Sequence, residues 1–248
     1  MLVKSKIKYI QSLSHKKFRD EYGAFVIEGP KIVEEFIHQS PERVLEVYSL
    51  VNWLKEQKSL LKKLGENQVI EIDQSQLERI SAMPAPNQVV AVIKKDKELF
   101  SPPATDKISI ALDGIQDPGN LGTIIRTADW FGITDIYCSE NSADVYNNKV
   151  VQSSMGSLLR VKVHYLDLVK LLGENKVPVF AATLDGKDIR ETISGKTTGL
   201  IIIGNESKGV RKELLRLEVT QIRIPSFGNA ESLNAAVATA IILSKIKL

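Results

Sequence analysis

The sequence predicts an α/β protein whose larger domain is a doubly wound parallel sheet. From Ile108 onward, strand-like and helix-like segments alternate, as they do where helices join parallel strands. The run "LIIIG" at 200–204 is apolar without alternation, which is typical of a strand buried on both faces. A charged, aperiodic stretch containing Pro102 and Pro103 precedes this part, and such a composition predicts a linker between two domains.

The N-terminal domain is expected to be a small α/β unit at 1–94, followed by the linker at 95–107. Pro30 suits the first turn of a helix, which we expect over 30–38. Leucines at spacings of three and four predict a second helix over 52–64. Strands are predicted in "GAFVIEG", "RVLEVYSL", "QVIEI" and "QVVAVIKK".

The second domain is expected at 108–248, with its functional site beyond the carboxyl ends of the strands. Strands are predicted at 108–112, 135–138, 159–164, 177–183, 200–204 and 221–225. Helices are predicted near 121–131, 148–157, 166–172, 210–217 and 233–246.

Composition narrows the class of protein. A chain of 248 residues accommodates two domains, and no apolar run approaches the roughly 20 residues that span a bilayer. The N-terminal stretch lacks the apolar core of a secretory signal. Cys138 is the single cysteine, so an intramolecular disulfide and a Cys-rich zinc site are excluded. We therefore expect a cytoplasmic protein without membrane association.

Basic residues concentrate at the N-terminus. Those that precede the first acid, Asp20, are Lys4, Lys6, Lys8, Lys16, Lys17 and Arg19. Such a stretch fits contact with nucleic-acid phosphates, and a solvated helix face would have the same pattern.

Common cofactor and nucleophile motifs are absent from the sequence. No two of its 15 glycines are separated by a single residue, which excludes the G-x-G-x-x-G dinucleotide fingerprint. The sequence also lacks a phosphate-binding P-loop, a G-x-S-x-G nucleophile elbow and an H-E-x-x-H metal motif. We expect neither a metal nor a phosphate-anchored cofactor.

Three segments that follow predicted strands contain the candidate functional residues. In "DGIQDPGNLGTIIRTADWFG", Asn120 suits a helix N-cap, and Arg126 lies off the apolar stripe of the helix that follows. Arg126 could face the turn or form a surface salt bridge. In "LIIIGNESKGV", Gly204 and Gly209 suit close backbone approach, and Glu206 could orient a ligand or cap a helix.

The third segment, "IPSFGNAESLNAAVATAIIL", places a loop of small residues before a helix. Its alanines favour close helix packing, or simply reflect helix propensity. Asn234, expected within the first turn, would make a side-chain contact.

Together, "NLGTIIRTA", "IIIGNESKGV" and "IPSFGNAESLNAAVATAI" resemble the three signature motifs of the SpoU/TrmH-type RNA ribose 2′-O-methyltransferases of the SPOUT superfamily. "HKKFRDEYGAFVIEGPKIVEEF" and "PAPNQVVAVI" are similar to the start and end of the L30e-like substrate-binding domain that often precedes this catalytic domain. The resemblance covers nearly the whole chain. It implies a SPOUT-type knotted parallel-sheet domain with a C-terminal trefoil knot, a homodimer, and S-adenosylmethionine as the cofactor.

The resemblance also implies roles for residues. Arg126 would engage the ribose 2′-hydroxyl, either as the base or as a cation that stabilises the developing alkoxide, because a guanidinium with a pKa above about 12 is a poor base. The other catalytic candidates are Asn120, Glu206, Ser232 and Asn234. Candidates for binding S-adenosylmethionine are Thr183, Leu184, Gly204, Asn205, Gly209, Ile224, Pro225 and Leu233. Candidates for binding RNA are Lys16, Lys17 and Arg19.

The resemblance implies methylation of a ribose in RNA, with ribosomal RNA favoured over transfer RNA by the two-domain layout. A tRNA ribose 2′-O-methyltransferase is the alternative enzyme. A non-catalytic RNA-binding or assembly protein that keeps the fold is the alternative from another class.

Overall fold

The computed structural model describes residues 2–96, 99–195 and 197–248, and the chain divides into two compact units. Unit 1 comprises Met1–Lys97 and Tyr146–Leu159, and unit 2 comprises Glu98–Val145 and Arg160–Leu248. The predicted linker falls in part on Lys97 and Glu98, which lie outside the described residues. Among the residues described, no helix has both the length and the apolar character needed to cross a bilayer.

Unit 1 contains a four-stranded sheet in the order β1–β4–β2–β3. Its strands are β1 (Ala24–Glu28), β2 (Val44–Ser49), β3 (Val69–Glu71) and β4 (Val89–Lys94). Strands β2 and β3 are parallel, and β4 runs antiparallel to β1 and β2. Its helices before residue 97 are α1 (Lys4–Ser12), α2 (Lys16–Tyr22), α3 (Pro30–Gln39), α4 (Val51–Glu56), α5 (Lys58–Leu61) and α6 (Gln74–Ile80).

Helices cover both faces of the unit 1 sheet. Phe25 and Ile27 point to one core, with Phe36 of α3, whereas Ala24 and Val26 point to the other. This alternation explains why all five residues of β1 are buried. The four predicted strands are confirmed to within two residues at each end. The helix predicted over 52–64 is instead two short helices that break at Gln57, and α1, α2 and α6 are additional elements.

Unit 2 contains an all-parallel sheet of six strands in the order β10–β8–β9–β5–β6–β7. Its strands are β5 (Ile108–Asp113), β6 (Asp135–Cys138), β7 (Lys162–Tyr165), β8 (Val179–Asp188), β9 (Gly199–Gly204) and β10 (Thr220–Arg223). The helices from residue 108 onward are α7 (Pro118–Trp130), α8 (Asn148–Ser154), α9 (Leu168–Glu174), α10 (Ile189–Thr192), α11 (Lys212–Leu215) and α12 (Ala235–Lys247). All of these except α8 belong to unit 2. The predicted α/β class with a parallel sheet is confirmed.

The two faces of this sheet are covered by different helices. Ala111, Tyr137 and Ile202 point to the face covered by α9 and α11. On the other face α7 packs against α12, and the apolar stripe of α7 is fully buried at Leu121, Ile124 and Ile125. Strands β5 and β9 are therefore buried on both sides, as their unalternated apolar sequences predict.

Several predicted boundaries differ because side chains cap the helices. Helix α7 begins at Pro118 because Asp117, not Asn120, is its N-cap. Helix α12 begins at Ala235 because Asn234 is the N-cap rather than a residue of the first turn. The strand predicted at 177–183 continues to Asp188 after an irregularity in its pairing with β10. The strand predicted at 159–164 begins only at Lys162, after a 3₁₀ turn at Ser157–Leu159.

Helix α8 belongs to unit 1 although its neighbours in sequence belong to unit 2. Val151 of α8 is completely buried in one core of unit 1. The ring of Tyr146 packs on that of Phe25, with centroids 4.6 Å apart. The amide of Gln152 donates to the backbone carbonyl of Glu28 at 3.2 Å. Segment 146–159 thus completes the core of unit 1.

Candidate active site

The first two motif segments start side by side in the sheet of unit 2. Asp113, the last residue of β5, pairs in register with Gly204, the last residue of β9. The amide of Asn205 donates to the carbonyl of Gly114 at 2.7 Å. The loop after β9 is therefore tied to the turn after β5 at the carboxyl edge of the sheet.

A buried ion pair fixes the other end of the same loop. Asp113 is 2% exposed, and its carboxylate accepts from the backbone N–H of Arg211 at 2.8 Å and from Arg211 Nε at 2.6 Å. A buried carboxylate needs such partners because burial without them is costly. Neither residue was among the sequence candidates. The signal was an aspartate at the end of a strand without polar alternation, in the string "LDG".

The loop between these anchors folds back on itself. The backbone groups of Asn205 and Gly209 hydrogen-bond to each other in both directions, at 3.1 and 2.9 Å. The side-chain oxygen of Asn205 also accepts from the N–H groups of Ser207 and Lys208. A Cβ at Gly204 would lie 2.3 Å from backbone atoms of Gly209 and Val210, so only glycine fits there.

The three motif segments meet at Asn120. Because Asp117 caps α7 and accepts from the backbone N–H of Asn120 at 2.8 Å, the side chain of Asn120 is available for other contacts. Its Nδ2 donates to Glu206 Oε1 at 2.7 Å, across 86 positions of sequence. Its Oδ1 accepts from Asn234 Nδ2 at 2.8 Å, across 114 positions. Asn120, Glu206 and Asn234 thus form one hydrogen-bonded relay.

The relay has a defined polarity. Asn234 Oδ1 accepts from the N–H groups of Ala236 and Val237 at the start of α12. Helix N-terminal amides only donate, and an ionised carboxylate such as that of Glu206 only accepts. Both carboxamides between these ends therefore have a single favourable orientation.

The remaining catalytic candidates lie outside this relay. Arg126 is exposed and, within the part of the chain that the structure describes, forms no hydrogen bond or ion pair. It shares the exposed side of α7 with Thr123 and Trp130. Ser232 is exposed just before α12, and its hydroxyl has no hydrogen bond among the described residues.

The cofactor-binding candidates beyond the second loop fall on two further segments. Thr183 and Leu184 lie where β8 leaves its pairing with β10, between Ala181 and Lys187. Leu184 is 66% exposed, and Thr183 Oγ1 lies 3.5 Å from Gln221 Oε1. Ile224, Pro225 and Leu233 lie on the loop from β10 to α12.

The RNA-binding candidates divide into two groups. Lys16 and Lys17 are exposed at the start of α2. Arg19 is 2% exposed, and its Nη1 donates to the carbonyls of Leu13 at 2.9 Å and Ser14 at 2.8 Å. The prediction that Arg19 is a surface cation differs from this structure, in which the guanidinium satisfies the backbone between α1 and α2.

Comparison with known proteins gives the family. The model of the SpoU rRNA Methylase family matches residues 107–244, and that of the MRM3-like substrate binding domain matches residues 4–91. The chain therefore belongs to the SpoU rRNA methylase family.

Individual relatives match along nearly the full chain. The 23S rRNA (guanosine(2553)-2′-O)-methyltransferase RlmP of Bacillus subtilis (strain 168) is 31% identical over 246 residues, which are 98% of this chain and 96% of that protein. The 23S rRNA (uridine(2479)-2′-O)-methyltransferase of Streptomyces viridochromogenes is 29% identical and covers 95% of this chain and 86% of its own. The AdoMet-bound rRNA methyltransferase structure from Sinorhizobium meliloti has a TM-score of 0.85 at 30% identity, and the match covers 100% of this chain and 95% of that one.

Gly204→Ala is expected to destabilise the protein by about 1–3 kcal/mol, because its methyl group would overlap the backbone of the loop. Denaturant unfolding measures the change. Gly173→Ala is the matched control, since a Cβ at that helical position meets no atom within 4 Å and alanine favours a helix. Equal stability of the two variants would contradict the close approach.

Proposed function

We propose that this protein transfers a methyl group from S-adenosylmethionine to a ribose 2′-hydroxyl of ribosomal RNA. The observation that carries the proposal is the relay that joins all three motif segments through Asn120. Family membership supports the reaction class. The two relatives named as 23S rRNA 2′-O-methyltransferases support ribosomal RNA over transfer RNA, because both match along both units.

The residues around the relay fit the chemistry of S-adenosylmethionine. In the described chain, residues 226–233 form no backbone–backbone hydrogen bond, and only the carbonyl of Gly228 is shown to accept from a side chain, that of Ser226. Their other N–H and C=O groups can therefore bind an adenine edge. Leu184 and Leu233 offer exposed apolar surface. We propose that these groups hold the cofactor together with Ile224, Pro225 and Thr183. Gly204, Asn205 and Gly209 shape the neighbouring loop, since their polar groups are largely paired within it.

The bound cofactor would supply a sulfonium methyl group, which is electrophilic without a metal ion. Transfer of that methyl group to the ribose oxygen would break the S–CH₃ bond and release the hydroxyl proton to solvent. The protein must therefore orient the hydroxyl and stabilise negative charge on its oxygen.

Arg126 is the proposed source of that stabilisation. A guanidinium has a pKa above about 12 and stays protonated, so it acts as a hydrogen-bond donor to the alkoxide or its neighbouring phosphate rather than as a base. Since it has no hydrogen-bond or ion-pair partner among the residues that the structure describes, its donors are available to the substrate. The relay residues Asn120, Glu206 and Asn234 keep the cofactor loops in place, and Ser232 lies in the loop that they anchor.

Arg126→Ala should lower the rate of methyl transfer by roughly 10²–10³-fold, the usual cost of removing one preorganised donor, while S-adenosylmethionine affinity stays unchanged. Transfer of labelled methyl groups to total RNA and calorimetric titration with the cofactor measure the two quantities. Lys170→Ala, at an exposed position of α9, is the control. Full turnover by the Arg126 variant would remove this residue from the mechanism.

The same assay separates the alternative functions. Mapping the labelled nucleotide to transfer RNA would favour the tRNA enzyme. Incorporation into no RNA by the wild-type protein would favour a non-catalytic RNA-binding protein.

We further propose a homodimer formed through α7 and α12. Val237 and Ile241 are 47% and 37% exposed at a spacing of four on α12, and Leu233, just before the helix, is 46% exposed. Trp130 at the end of α7 is 85% exposed. An aligned apolar row of this kind suits burial against a second copy.

The dimer also accounts for the position of Arg126. Asn120 and Arg126 are six residues apart on one helix, so they point about 120° apart and lie roughly 9 Å apart along the axis. Arg126 therefore points away from the relay of its own chain. In the proposed dimer it faces the ribose bound at the second copy.

Val237→Glu should convert the dimer to a monomer, because it would bury an unpaired carboxylate at the interface. It should also abolish methyl transfer. Analytical ultracentrifugation measures the assembly state. The control is Val51→Glu, which changes a 39% exposed valine in unit 1. A wild-type monomer that is active, or an active monomeric Val237 variant, would contradict the proposal.

Other assignments stay predictions. These are the domain boundaries at 94 and 107, the C-terminal trefoil knot and the cytoplasmic location. For RNA contact in the N-terminal domain, the match to an MRM3-like substrate binding domain supports the assignment. Lys16 and Lys17 are exposed, and Lys16 is paired with Asp20 at 2.6 Å.

A further inference from the structure

Unit 1 carries a row of aromatic rings on the α1–α2 hairpin. The rings of Phe18 and Tyr22, one turn apart on α2, are stacked at an interplanar angle of 15° with centroids 6.3 Å apart. Tyr9 of α1 and Tyr22 form a T-shaped pair, with ring centroids 5.0 Å apart and an interplanar angle of 76°. His15, at the N-cap of α2, meets Phe18 at 6.4 Å. Four rings thus form one continuous cluster.

This cluster reaches the surface, since His15 and Tyr22 are exposed while Tyr9 and Phe18 are half-buried. Tyr22 is 48% exposed, whereas Phe25, Phe36 and Tyr48 are at most 1% exposed. An aromatic side chain that only served the core would bury its faces, as those three do. Tyr22 therefore keeps about half of its surface open to solvent next to Phe18.

Cations surround the rings. Lys17 Nζ lies 5.8 Å from the centroid of Phe18, and Lys6 Nζ lies 5.4 Å from that of Tyr9. The nearby acid Asp20 is paired with both Lys16 and Lys95, at 2.6 and 2.7 Å. Over residues 4–22 the sequence has six basic residues and two acidic residues. Lys6 is itself paired with Glu46 at 2.6 Å, and Lys4, Lys8 and Lys17 keep the surface around the rings net positive.

We propose that this aromatic row is a stacking platform for an unpaired nucleotide of the substrate RNA, which rests on the RNA-directed function proposed above. A base laid against Tyr22 would extend the Phe18–Tyr22 pair, and Lys17 would hold a flanking phosphate. Single-stranded nucleic acid is bound by this combination of flat rings and cations, because every base has a π-face and every nucleotide a phosphate. Duplex RNA offers no free base face, so the platform discriminates in favour of unpaired segments such as loops and bulges.

Tyr22→Ala in the full chain tests the platform. The probes are a fluorescein-labelled oligoadenylate and a labelled RNA duplex of the same length, with affinity measured by anisotropy. Loss of one base stack should weaken oligoadenylate binding by roughly 5- to 150-fold and leave duplex binding unchanged. An oligoadenylate carrying 2-aminopurine should be quenched by the wild-type protein and not by the variant.

Matched variants separate stacking from structural damage. Tyr22→Phe should retain wild-type affinity because it keeps the ring. Tyr22→Leu, which keeps apolar contact with Tyr9 without a ring, should bind as weakly as the alanine variant. Val51→Ala, at another exposed apolar position of unit 1, should bind like the wild type. Lys17→Ala should weaken both probes and lower the slope of log affinity against log salt by about 0.7–0.9.

Oligoadenylate affinity that is the same in Tyr22→Ala, Tyr22→Leu and the wild type would overturn the platform. So would wild-type preference for the duplex. Neither result would contradict the proposed methyl transfer if the wild-type protein still methylates ribosomal RNA. Conversely, a wild-type protein that binds oligoadenylate through Tyr22 but methylates no RNA would contradict the proposed function alone.

Discussion

The side-chain amide of Asn120 is the interaction on which the candidate site depends. It contacts both of the other motif segments, donating to Glu206 and accepting from Asn234. A carboxamide can do this because it has a donor and an acceptor on one planar group, whereas a carboxylate or an ammonium has only one kind. An acceptor at one end and a helix N-terminus at the other fix its orientation, so the three loops are held in one arrangement.

Strand patterning made the sheets predictable from the sequence. Residues 200–204 and 108–112 are apolar at every or nearly every position, which only a strand buried on both faces explains. Helix starts were less predictable because capping depends on competition between nearby polar residues. Asp117 and Asn120 both suit an N-cap, and the carboxylate takes that role. The amide of Asn120 is thereby left for the long-range contacts.

Tertiary contacts explain the remaining differences between the sequence-based expectations and the structure. Arg19 was expected on the surface from its place in a basic stretch, but it satisfies carbonyls at the junction of α1 and α2. The aspartate that ends an apolar strand marks Asp113 locally, but its partner Arg211 lies 98 positions away and has no local signal of the pairing. In the sequence, segment 146–159 falls between two strands of unit 2, yet its Val151 completes a core of unit 1. No periodicity in the sequence predicts this placement.

A double-mutant cycle between Asn120 and Asn234 measures the central contact most directly. Denaturant unfolding of Asn120→Ala, Asn234→Ala and the double variant gives their coupling energy, which should be about 0.5–1.5 kcal/mol for a hydrogen-bonded pair. Asn120→Ala combined with Asp167→Ala, which removes the N-cap of α9 in the same unit, should be additive to within about 0.5 kcal/mol. If the Asn120–Asn234 pair is equally additive, the amide does not join the first and third segments, and the account of the site is wrong.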